Sequence, residues 1–137
     1  MTLELSPAAT STAGVLLLSL LAVEWGGFFV LRVVRGHAPA TPFQQRFYRA
    51  GHAHAGVLVT LGLVAVVLTE ATGLSGVAAQ VARSGVPVAA ILMPAGFFLA
   101  AAGRGRTEPG RALVLVPLGA LSLAAGVATL GAGLLLT

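Results

Sequence analysis

The sequence predicts an all-α fold, a four-helix transmembrane bundle with both termini outside. Three observations carry this. Of 137 residues, 57% are hydrophobic and only 9% charged, against about 25% charged in an average soluble domain. Four apolar stretches each reach the length of about 20 helical residues that a bilayer core of about 30 Å requires. The arginines are sorted to one side of those stretches. A small globule leaves much of its surface exposed and could not hide so much apolar area. Disorder needs the opposite composition, high in charge and low in hydrophobicity. A mean hydropathy of +0.96 agrees.

The first span runs from about Gly14 to Val34, and Pro7 with the Thr10–Thr12 segment opens its helix. Residues 1–13 contain no Arg, so the stretch lacks the basic start of a signal peptide and reads as a retained span. The second span runs from about Tyr48 to Thr69, the third from about Gly85 to Gly103, and the fourth from about Arg111 to Leu136. Together they make one integral membrane domain, residues 1–137. The first connection contains Pro39 and Pro42 and reads as a loop. The third, RGRTEPG, is a short turn that makes its flanking spans antiparallel neighbours. In the second, Leu74, Val77, Ala78 and Val81 recur at helical spacing, which predicts a separate interfacial helix on the outer surface.

Arg32, Arg35, Arg46, Arg49, Arg104, Arg106 and Arg111 flank the first and third connections, whereas the second holds only Arg83. The positive-inside rule then makes the Arg-rich connections cytoplasmic and both termini outward. The expected location is multi-pass in a bacterial inner membrane. A pI near 11.5 does not imply nucleic acid here, because the basic residues lie between apolar spans and anchor them to headgroups. Cysteine is absent, which excludes disulfides, thiolate metal sites and cysteine nucleophiles. Phosphate loops, dinucleotide fingerprints and hydrolase motifs are missing, so the reading leans away from an enzyme.

Membrane helices associate through close packing at small residues. The fourth span offers two such ladders, Ala120–Ala124–Ala128–Ala132 and Ala125–Thr129–Gly133. The second offers Gly51, Ala55, Gly62 and Thr69, and the first Ala22 and Gly26. Pro87, Pro94 and Pro117 lie in or near the last two spans, as shape devices or as hinges that free a carbonyl.

Glu24 is the strongest candidate site residue. It lies near the middle of the first span, where a charge costs at least about 2.5–3.5 kcal/mol, so it is expected to face the bundle and to hold a proton, a cation or a partner. The run RAGHAHAG, Arg49 to Gly56, opens the second span and supplies His52 and His54. Two residues apart on a helix means about 200° apart, so they cannot share one metal as an i, i+4 pair can. Gly56, Val59, Leu63 and Glu70 follow the His52 side. Leu58, Leu61 and Ala65 follow the His54 side, which reads as a lipid-facing or interprotomer surface. His52 is therefore expected inside. At about 1.5 Å per residue, Glu24 lies about 12 Å inside Arg32 and the histidines about 5–8 Å inside Arg49, which brings a Glu24–His contact within reach. Such a pair serves either as a proton relay or as a polar clamp. Trp25 lies at depth rather than in an interfacial belt, beside the gap at Gly26 and Gly27, where a cofactor, a substrate or another helix can approach. Glu70 ends the second span where water reaches it, and His37 falls in a loop.

The segments VEWGGFF and FYRAGHAHAGVL together resemble small four-span integral membrane proteins of high-GC bacteria, a resemblance that implies a fold and no activity. His52-Ala53-His54 resembles the His-x-His helix of haem–copper oxidases, in which two histidines on opposite faces serve two haems. That resemblance implies one haem per protomer or one shared across a dimer, with Met93 as a second axial ligand; the remaining ligands of an oxidase centre are lacking. The chain is also similar to the small multidrug resistance transporters in having four short spans and a Glu in the first. That likeness implies a coupling carboxylate at Glu24, while the wider motifs of that family are absent and the Arg bias gives one fixed orientation.

Three function classes follow. The first is proton-linked transport, or permeation of an ion or small solute, by a homo-oligomer with Glu24, His52 and His54 as the protonatable site. The second is a haem- or metal-binding membrane protein using His52 or His54. The third is a non-catalytic accessory subunit of a larger membrane complex. No cofactor is required by the first, which stands ahead because an intramembrane carboxylate needs no missing ligand.

Overall fold

The computed structural model describes residues 4–136 and is all-α. Helix α1 spans Pro7–Val34, α2 Pro42–Thr69, α3 Gly76–Ala101 and α4 Leu115–Leu135, the last entered through a 3₁₀ turn at Arg111–Val114. All four are long and apolar enough to cross a membrane.

Local chemistry sets the helix ends. Ser6 caps α1 by accepting from the Ala9 N–H at 3.2 Å, and Pro7 takes the first helical position, where its missing N–H costs nothing. At the other end Gly36 adopts φ +73°. There the Gly36 N–H bonds to Val33 O and the His37 N–H to Arg32 O, a Schellman closure that turns the chain. His37 thus serves the turn through its backbone. Helix α2 starts with a capping box: Thr41 accepts from the Gln44 N–H, and the Gln44 side chain accepts from the Thr41 N–H.

Helix α3 is central, with α2 and α4 packed on it and α1 on α2. Ala82, Val86, Ala89 and Met93 of α3 form one core with Leu58 and Ala65 of α2 and Leu130 of α4; Ala9 and Leu16 of α1 form a second with Val59 and Val66 of α2. The α3–α4 seam is glycine against glycine. Gly85 and Gly126 bring the two backbones into contact, and the Ser122 hydroxyl donates to Gly85 O at 2.9 Å. The neighbouring seam glycines, Gly119 and Gly133, receive Met93 and Leu74.

Two sequence expectations are revised here. The alanine ladder Ala120–Ala132 is exposed, and the seam of α4 is Gly119–Gly126–Gly133, because backbone contact needs residues without a Cβ. The expected interfacial helix is instead the opening of α3, continuous from Gly76 through Pro87 and Pro94. Leu74, just before it, meets Gly133, Ala78 and Val81 are half-buried and Ala82 is buried, whereas Val77 is 80% exposed. Of the expected seam of α2, Gly51, Gly62 and Thr69 are buried and Ala55 is half-buried.

Candidate functional site

Helix α1 buries a stripe at helical spacing, with Ala9 and Leu16 buried and Ala13, Leu20 and Val23 partly so. Gly26 and Gly27 continue it. A Cβ on Gly27 would lie 3.2 Å from Cε1 and 3.3 Å from Nε2 of His52, so these glycines let the imidazole sit against the α1 backbone. His52 is half-buried, and among the described residues its ring nitrogens have no hydrogen-bond partner.

Glu24 differs from expectation. It is exposed on α1, off the buried stripe, and makes neither an ion pair nor a hydrogen bond within the described residues. The reason is the place of α1 at the edge of the bundle: only 6% of its apolar window is buried, against 44% for α3. The stripe with Leu16, Val23 and Gly27 takes the covered side, and the carboxyl is left outside. Trp25 is likewise outside, 78% exposed. The expected contact between Glu24 and a histidine is not formed.

His54 also departs from its expected lipid-facing placement. Helix α2 is covered by α1 on one side and α3 on the other, so both faces are occupied. The His54 ring lies 5.0 Å from that of Phe97, with an interplanar angle of 36°. Its Nδ1 is 2.7 Å from Ala50 O; since a carbonyl only accepts, Nδ1 carries the proton in that contact. Met93 sits in the α3–α4 core against Gly119, apart from His52. The two histidines therefore face different helices, and no three His, Cys, Asp or Glu side chains among the described residues gather as a metal-ligand set.

A cavity of about 350 Å³ opens between α1, α2 and α3. Thr12, Leu16, Ser19 and Gly26 line it from α1, His52 and Val59 from α2, and Pro87, Ile91 and Phe98 from α3.

Two polar arrangements were not anticipated. Gln44 is buried, and its amide donates to Ala101 O at 2.9 Å and to Gly103 O at 2.6 Å; Tyr48 donates to Ala101 O at 3.2 Å. Together they satisfy the carbonyls that end α3. The T-x-x-Q spacing of Thr41 and Gln44 was the available signal. At the opposite end, Glu70 accepts from the Ser6 N–H and from Arg83, both at 2.8 Å. It thereby joins the start of α1, the end of α2 and the second turn of α3, largely shielded rather than open to water. The Ser6 N–H first, and then the Arg83 guanidinium, hold the Glu70 carboxyl below its ordinary range.

Comparison with protein-family models, curated proteins and solved structures gives no match. What the chain is remains, at the coarser level, a multi-pass helical bundle whose outer faces are built for lipid.

Proposed function

We propose that the chain works as a homo-oligomer in the membrane and couples proton binding at Glu24 to the movement of an ion or small solute. The observation that carries this reading is the placement of Glu24, exposed near the middle of α1 with no hydrogen-bond or ion-pair partner among the described residues. A bare carboxylate facing hydrocarbon costs at least about 2.5–3.5 kcal/mol, so the group holds a proton or meets a partner from outside the chain.

The outer face of α1 supports assembly. Leu17, Leu21, Trp25 and Phe28 are exposed beside Glu24, and this helix is the least covered of the four. A closed two-fold pair is the default arrangement for such a surface. The Arg-rich end faces the cytoplasm in this reading, by the positive-inside rule, in the inner membrane of a bacterium. His52 lies on the covered side at the Gly27 level and is the second protonatable group on hand.

Protein reconstituted into liposomes with an internal pH dye and a clamped potassium potential tests this. Wild type is expected to conduct protons, and Glu24→Gln to fall to the rate of protein-free liposomes. Equal flux from both overturns the assignment.

A further inference from the structure

We propose that the slot between α1, α2 and α3 binds a fatty acid, with its carboxylate at His52 and its chain lying along α1. This proposal does not depend on proton coupling at Glu24.

The shape points to a chain. The slot follows α1 from Gly26 to Thr12, about 21 Å at about 1.5 Å per residue. A volume of about 350 Å³ over that length makes it long and narrow. It opens sideways toward lipid, since Val15 and Ile91 on its rim are 68% and 69% exposed. A ligand dissolved in the bilayer therefore enters without crossing water.

The chemistry of the walls places the head. The slot has three polar side chains. The Thr12 hydroxyl donates to Ala8 O at 2.8 Å and the Ser19 hydroxyl to Leu16 O at 2.7 Å, so both are spent on their own helix. Among the described residues the ring nitrogens of His52 have no hydrogen-bond partner. One unpaired polar group at one end of an apolar slot suits a ligand with one polar end and an apolar body.

Charge selects an acid. His52 is one turn inside Arg49 on α2, at the end of the bundle that carries Arg32, Arg35, Arg46, Arg104, Arg106 and Arg111. The acids toward that end are Glu24 and Glu108. Glu108 is in the exposed α3–α4 turn, and Glu24 is absent from the slot lining, turned to the outer side of α1. The field along the slot therefore draws an anionic head toward His52.

The test uses a diazirine-bearing palmitic acid and the full chain in nanodiscs, with labelled residues mapped by mass spectrometry. Expected labelling concentrates on the slot walls, around Leu16, Val59 and Ile91. Excess palmitic acid removes it and excess methyl palmitate does not. His52→Leu reduces it about tenfold, the loss of a charge-assisted hydrogen bond. Ala22→Trp, which fills the slot rim from an exposed position, abolishes it while eluting from gel filtration as wild type does. Labelling spread evenly over the outer faces, or equal competition by the methyl ester, overturns the proposal.

Discussion

Gly126→Ala tests how the bundle is held together. An ideal Cβ at position 126 would lie 2.8 Å from the Gly85 Cα and 3.2 Å from the Val86 nitrogen. The reciprocal change is tighter, 2.5 Å from a Gly85 Cβ to the Gly126 Cα and 2.8 Å to Ser122 O. Carbon atoms rest at about 3.5–4.0 Å, so the two helices must separate by about 1 Å. No flexible side chain can give way, because the opposing atoms are backbone. Separation stretches the Ser122–Gly85 hydrogen bond and loosens the core around Ala89, Met93 and Leu130. Over-packing costs about 1–3 kcal/mol, partly offset by up to about 1 kcal/mol of better helix propensity for Ala. The expected net loss is about 1–2 kcal/mol. Gly131→Ala on the same helix is the control: its Cβ meets nothing within 4 Å, and the change should be neutral or stabilising. Equilibrium unfolding in mixed micelles, titrated with a denaturing detergent, reads both. Indistinguishable curves for Gly126→Ala and Gly131→Ala would refute the close backbone approach as the source of stability.

Three further outcomes follow from the sites. The folded protein holds the Glu70 carboxyl below its ordinary value of 4.5, so its contribution to stability is fully present above that value and is lost as pH falls through the depressed one. Unfolding followed from neutral pH downward should show this acid limb, and Glu70→Gln should flatten it. Arg83→Met removes the partner of a largely shielded carboxylate and should cost about 1–2 kcal/mol, between the surface and buried limits, in the same unfolding assay. Gly27→Ala places a Cβ 3.2 Å from the His52 ring, which must shift by a few tenths of an ångström; the imidazole NMR signals of His52 should move while those of His54, packed on Phe97, stay in place.

The four spans were legible because hydropathy and length alone decide them, and the first helix start and first loop because Pro7, Pro39 and Pro42 carry local instructions; Gly36 and the Thr41–Gln44 box carried signals that were not read. The packing of α2 was legible for the same reason, since Gly51, Gly62 and Thr69 repeat on one side. The packing of α4 was not: alanine and glycine both count as small, and only the backbone contact at Gly85 and Gly126 separates them. Periodicity did reveal the helix after Leu74, but it could not say whether that helix lies apart or runs on into α3. The site suffered most. Helical spacing ranks faces against one another, yet which face is covered depends on the order of helices in the bundle. With α1 at the edge, Glu24 turns outward. With α2 between two neighbours, His52 and His54 are both covered, against α1 and α3 respectively. The Glu70–Arg83 pair spans a turn that no short-range pattern joins.

Infrared difference spectroscopy of Glu24 in the bilayer tests the central claim most directly. Wild type should show the carbonyl stretch of a protonated carboxyl that disappears as pH is raised, and Glu24→Gln should lack that band. A band unchanged in Glu24→Gln, or no titrating carboxyl in wild type, would contradict Glu24 as the proton-binding group.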